Sequence, residues 1–147
     1  MKPQNETIIT LQSRSCNESY ARSAVACFFA QLDPTVEELC DIRTAVSEAV
    51  TNAIVHGYRE QMGLIRITAR IYPERRITIA VQDRGCGIPD IQKAMEPLFT
   101  TSPDGERSGL GFSVMQSFMD RVRVRSAPGR GTTVTLERTL RGKDAHD

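Results

Sequence analysis

Residues 35–58, TVEELCDIRTAVSEAVTNAIVHGY, read as one long helix with a polar stripe along it. Thr35 and Glu38 make a T-x-x-E capping box, so the helix starts at about Val36, and Gly57 stands after His56 as its C-terminal stop. Ala45, Val46, Ala49 and Ala53 recur at helical spacing and supply the buried side. Glu48, Asn52 and His56 follow one another at i, i+4 steps, which aligns them along one side of the same helix. Such a stripe is either a solvent edge or one wall of a site. Glu and Asn are ordinary on helix surfaces, so the rest of the chain has to decide.

Upstream, residues 7–11 read as a short strand. Asn17 is placed to cap a first helix whose apolar positions Ala21, Val25, Phe28, Phe29 and Leu32 run up to Asp33-Pro34, which ends it. Downstream, residues 64–71 and 77–82 alternate β-branched positions around Pro73-Glu74 and predict an antiparallel pair. Residues 83–108 are rich in glycine and proline and read as a loop long enough to have a task of its own. A third helix over 110–120 buries Val114, Met115, Phe118 and Met119, and strands over 122–126 and 132–138 follow. Helices and strands in this order predict an α+β two-layer sandwich, a mixed and mostly antiparallel sheet with helices on one face. At 147 residues the chain holds one core, assigned to residues 1–141, with a polar tail over 142–147.

Composition narrows the classes. With 39% apolar and 25% charged residues the chain is globular rather than disordered or collagen-like. A net charge of +1 gives no bulk attraction to nucleic acid or an anionic membrane, so partners must be recognised locally. The longest apolar run, residues 24–30, falls far short of the roughly 20 residues of a bilayer span. Residues 1–15 lack the apolar core and cleavage site of an export signal, so a cytosolic location is expected. Cys16, Cys27, Cys40 and Cys86 form no CxxC pair and have no histidine near enough in sequence to complete a zinc site, which predicts four reduced thiols.

Three further pieces carry chemistry. Asp83-Arg84-Gly85-Cys86-Gly87 leaves a strand with a carboxylate that can accept hydrogen bonds from a flat donor such as an exocyclic amine, and its glycines let a ligand approach the backbone. Ser108-Gly109-Leu110-Gly111 opens the third helix with small residues, leaving N–H groups free for phosphate. Gly131-Thr132-Thr133 starts the last strand with two hydroxyls. There is no G-x-x-x-x-G-K-S/T loop, no complete dinucleotide fingerprint, no H-R-D or D-F-G of the eukaryotic kinases and no nucleophile motif around His56 or His146. Separately, Arg121-Val122-Arg123-Val124-Arg125 places valines on one strand face and arginines on the other. That pattern is either a solvated strand face or a docking patch for an acidic partner.

In order, Glu48-x-x-x-Asn52, Asp83-x-Gly85-x-Gly87, Gly109-x-Gly111 and Gly131-Thr132 resemble the ATP-binding fold shared by gyrase, Hsp90, sensor histidine kinases and MutL, the GHKL superfamily with its Bergerat fold. Within it, SEAVTNAIVHGY (47–58), PLFTT (97–101) and ERSGLGF (106–112) are similar to the anti-sigma F factors of endospore-forming bacteria, over about residues 7–140. The resemblance implies an anti-sigma factor that binds and inhibits a sporulation sigma factor. It also implies a protein serine kinase that phosphorylates its anti-anti-sigma antagonist from ATP and Mg²⁺, as a homodimer without direct contact to nucleic acid or membrane. It makes Glu48 the general base and Asn52 the Mg²⁺ ligand. Asp83 becomes the acceptor of the adenine amine, Gly87 lets the base approach, and Thr132 closes the adenine pocket. Gly85, Thr100, Thr101, Ser108, Gly109 and Gly111 complete the nucleotide site, and Arg107 reaches the γ-phosphate. Arg22 matches an arginine that engages both the sigma factor and the antagonist, although its spacing also suits an exposed i, i+4 pair with Glu18.

Two features depart from that pattern: Ser102 stands where many relatives carry lysine, and the chain is nearly neutral where relatives tend to be acidic. Other readings stay open. One is a binding module whose ATP only sets its shape, and another a stress-type anti-sigma kinase with a different sigma partner. A sensor histidine kinase core would need a phospho-acceptor histidine on a dimerising helix, and none precedes His56.

Overall fold

Alternation makes the sheet. In the computed structural model, which describes residues 1–91, 95 and 111–142, every second residue of the central strands is apolar and buried. The strands are β1 (Asn5–Gln12), β2 (Leu64–Tyr72), β3 (Arg76–Asp83), β4 (Arg121–Ala127) and β5 (Gly131–Thr139). Their order across the sheet is β1-β2-β3-β5-β4, and every pairing among the described residues is antiparallel, the antiparallel end of the expected mixed sheet. Helices α1 (Asn17–Phe29), α2 (Val36–Asn52) and α3 (Phe112–Phe118) cover one face, giving the two layers predicted. Ile65, Ile67 and Ala69 of β2 meet Ile77 and Ile79 of β3 beneath Val25 and Phe29 of α1 and Ile42, Val46 and Val50 of α2. Burying each large side chain is worth about 1.5–3 kcal/mol. Among the described residues no helix is long and apolar enough to cross a membrane.

The start of α2 is held as the sequence predicts. Thr35 Oγ1 accepts from Glu38 N at 3.0 Å, and Glu38 Oε1 accepts from Thr35 N at 2.9 Å. The same carboxylate accepts from Arg141 N at 2.6 Å and Gly142 N at 3.0 Å, tying the segment that follows β5 to the helix. Burial pushes the Glu38 pKa upward, but the three backbone donors and the charge of Arg138 outweigh it and hold the group below its ordinary value. A carboxylate with a depressed folded pKa stabilises the fold above its unfolded pKa and loses that contribution as pH falls through the folded value. Glu38→Ala is therefore expected to cost about 2–3 kcal/mol at neutral pH, as expected for lost hydrogen bonds to a charged group. Urea unfolding should show the gap to the parent narrowing as the pH is lowered.

One local expectation is corrected. Asn17 does not cap α1: its Nδ2 donates to Gln12 O at 2.9 Å, and Cys16 occupies the cap position with no side-chain cap bond. The nearby strand-end carbonyl is a better partner for that amide than the helix N–H groups. Gly57 does end the helical stretch, through a π turn and without left-handed geometry. α2 ends at Asn52 and continues as a π-helical turn, Ala53–Gly57, closed by Tyr58 N to Ala53 O at 3.0 Å. Asp33 does end the first helix, in left-handed geometry (φ 51°) after a 3₁₀ turn at Ala30–Leu32. Gly142 bonds to Glu38, and the rest of the expected polar tail lies outside the described residues.

Candidate functional site

The π turn delivers the C-terminal end of α2 to the end of β3, and between them opens a cavity of about 360 Å³. Asn52, Asp83, Gly87 and Thr132, four residues singled out in the sequence, line it together with apolar walls from Phe112 and Val134. A concave, mostly apolar pocket with a few polar groups is the ordinary form of a small-ligand site.

Asp83 is its polar anchor. The residue is 6% exposed, its carboxylate Oδ1 accepts from Gly85 N at 2.9 Å, and the Thr132 backbone N–H donates to the carboxylate as well. Burial raises the Asp83 pKa above the ordinary value, and the Gly85 and Thr132 donors pull the other way. The geometry depends on missing side chains. A Cβ on Gly57 would lie 2.8 Å from the Asp83 carboxyl carbon and both its oxygens, and one on Gly85 would lie 2.0 Å from Gly57 O. Cys86 N donates to that same carbonyl at 2.8 Å, so the D-x-G-x-G loop lies directly on the π turn. Gly87 has φ 78°, and a Cβ there would sit 2.2 Å from Ala127 O.

Sequence reasoning missed three supports. Tyr58 Oη donates to Leu64 O at 2.5 Å and accepts from Arg84 N at 2.9 Å, pinning the residue after Asp83. Ser126 Oγ accepts from Ile88 N at 2.7 Å, donates to Gly131 O at 3.0 Å and lies 2.8 Å from Thr132 Oγ1. With the single Ser126 hydrogen given to Gly131, Thr132 must donate to Ser126, which leaves its lone pairs for a donor in the cavity. Gly57 is the third. Tyr58 and Gly57 sit inside the quoted 47–58 block, whereas nothing near Ser126 in sequence marks it.

Glu48 faces elsewhere. It stands one turn before Asn52, beside Gly111, where a Cβ would fall 2.2 Å from Glu48 Oε2, and Gly111 (φ 71°) starts α3. Rather than the cavity, Glu48 lines a shallow outer depression with Arg22, Arg43 and Ser47. Arg22 pairs with Glu18 at 3.2 Å, the i, i+4 contact its spacing allows, and Ser47 Oγ donates to the same Glu18 carboxylate. Arg22 Nε is buried without a hydrogen-bond partner among the described residues. Thr100, Thr101, Ser102, Arg107, Ser108 and Gly109 lie outside the described residues.

Among the described residues no group of three or more His, Cys, Asp or Glu side chains could hold a metal ion by itself. The Asn52 amide oxygen, at the cavity wall, suits a Mg²⁺ that takes its other ligands from phosphate and water. All four cysteines are free and exposed.

Residues 12–138 match the histidine kinase-like ATPase domain family. An anti-sigma F factor from a Thermoanaerobacter species is 55% identical over 95% of this chain and 97% of its own length. One from Clostridium beijerinckii is 54% identical over 91% and 94%. Among solved structures, the RsbU and RsbW domains of a Mycobacterium tuberculosis protein superpose with a TM-score of 0.69 at 24% identity, covering 94% of this chain and 32% of that one. The catalytic domain of the histidine kinase ThkA gives 0.55 at 17% identity, covering 93% and 97%. At those identities the two structures speak to the fold.

Proposed function

The chain belongs to the histidine kinase-like ATPase family and, within it, to the anti-sigma F factors, and from that premise we propose that it silences a sporulation sigma factor and phosphorylates a serine of its anti-anti-sigma antagonist. One observation carries the kinase half of this reading: Asn52 and Glu48, one turn apart on α2, face two different spaces. Asn52 borders the cavity where ATP is placed, its adenine amine against Asp83 and Thr132. Glu48 borders the outer depression, where an acceptor hydroxyl can enter from another protein.

The nucleotide would hold Mg²⁺ at Asn52, and the ion supplies neutralisation of phosphate charge. In the reaction the serine oxygen attacks the γ-phosphorus, the bond to the ADP oxygen breaks, and the hydroxyl proton passes to Glu48. Gly85 and Gly87 bring the backbone against the base. Thr100, Thr101, Arg107, Ser108, Gly109 and Gly111 are assigned to the phosphate end. A single domain over residues 1–141, a homodimer and a cytoplasmic location belong to the same proposal. Labelled ATP·Mg²⁺ incubated with this chain and an anti-anti-sigma protein should place label on one serine of that protein. Nucleotide binding without transfer would leave a binding module instead.

Arg22 is assigned to partner docking, because it borders the depression beside Glu48 and away from the nucleotide cavity. Truncating an interface arginine typically costs about 2 kcal/mol or more. Arg22→Ala should therefore weaken sigma binding at least about tenfold and raise the KM for the antagonist, with ATP affinity unchanged. Undiminished sigma binding in a pull-down would leave Arg22 as the surface partner of Glu18.

A further inference from the structure

The ATP chemistry makes no use of Arg121, Arg123 and Arg125. β4 is an edge strand, bordered by β5 on one side and by no other strand among those described. Val122 and Val124 pack against the core, so the three arginines, all exposed, stand on the open face away from the helices. The strand register carries that face across the sheet and adds Arg66, Arg70 and Arg76, with Glu6 and Glu137 as its acids. Six arginines against two glutamates, in a chain of net charge +1, concentrate positive charge on one surface. Both glutamates are engaged, Glu6 with Arg70 at 2.5 Å and Glu137 with Arg76 at 3.3 Å and Arg123 at 3.7 Å. Arg66, Arg121 and Arg125 form no ion pair among the described residues.

We propose that the β4 edge docks an extended acidic segment of a partner protein, which adds to the sheet as a further strand with carboxylates at alternate positions against Arg121, Arg123 and Arg125. An edge strand offers a polypeptide a ready ladder of N–H and C=O groups. Same-side residues two apart repeat at about 6.6–6.8 Å in both strands, so alternate carboxylates meet the arginines one for one. The planar guanidinium suits that geometry, and Glu137 already holds a carboxylate between two arginines on this face.

A second copy of the chain is a poor occupant, since none of its five described strands carries acidic residues at alternate positions, and two β4 edges would set arginine against arginine. Nucleic acid fits less well than an acidic peptide. Glu137 sits amid the cations, and the aromatic ring on this face, Tyr72, is covered by Arg76 at 4.1 Å and offers no base a stacking surface.

The test titrates the full chain with a labelled peptide of about nine residues alternating Glu with Thr and Val. Controls are an isomer with its glutamates in one block, a copy N-methylated at alternate amides, and a single-stranded oligonucleotide of equal charge. The alternating peptide is expected to bind at least about tenfold tighter than each control. Arg121→Glu with Arg125→Glu should remove that binding by a similar factor and leave ATP affinity intact, which also confirms folding. Equal binding of the block isomer or the methylated copy, tighter binding of the oligonucleotide, no saturable binding of the peptide, or binding that survives the double substitution would each overturn the proposal.

Discussion

Glu48→Gln is expected to bind ATP like the parent and to transfer phosphate to the antagonist about 10²–10⁴ times more slowly, the usual worth of a positioned general base. The amide keeps the shape of the carboxylate but does not take a proton. Separation of the two effects follows from position: Glu48 borders the outer depression with Ser47 and Arg22, whereas α2 lines the cavity with Ala49, Asn52 and Ala53. Single-turnover transfer and nucleotide titration on one preparation check both halves. A parental transfer rate would reduce Glu48 to a spacer against Gly111, and a loss of ATP affinity would move it into the nucleotide site. Gly111→Ala bears on the same carboxylate, and because Gly111 is also assigned to the phosphate end its ATP affinity is titrated alongside. Its Cβ would lie 2.2 Å from Glu48 Oε2, so the carboxylate should be displaced and the rate should fall although the base is still present.

What could be read in the sequence was what local chemistry determines. The Thr35–Glu38 box needs only residues three apart, and it is present bond for bond. The strands were visible as alternation, because one face of each is buried. Their order was not: β5 lies between β3 and β4, a choice made by packing between distant segments. The supports of the site failed to show for the same reason. Tyr58 reaches Arg84 across 26 positions and Ser126 reaches Ile88 across 38, and neither pairing leaves a trace near either residue. At Asn17 the local rule was outcompeted, since the Gln12 carbonyl lies within reach of the same amide. Gly57 was read as the stop of the helix, which it is, but nothing nearby showed that its lack of a side chain also serves the approach of Asp83.

That approach yields the second large effect. Asp83→Ala should weaken ATP binding by about 10- to 100-fold, the loss of one charge-assisted hydrogen bond of roughly 1.5–3 kcal/mol, while the fold is retained. The parent should also prefer ATP to GTP by at least about tenfold, because guanine presents a carbonyl oxygen where adenine presents an amine and would set acceptor against carboxylate. Gly57→Ala should come close to Asp83→Ala in affinity although the carboxylate remains, since the added methyl would stand 2.8 Å from both oxygens and must push them aside. Acid should act at the same point. Only the ionised carboxylate is the strong acceptor, and burial places its pKa above the ordinary aspartate value, so ATP affinity should begin to fall at a higher pH than an exposed aspartate would dictate. That decline should vanish in Asp83→Ala. Calorimetric titration of ATP and GTP against the three proteins across the acidic range decides the matter. Equal ATP and GTP affinities in the parent, or a Gly57→Ala protein that binds ATP normally, would remove Asp83 from the role of base selector.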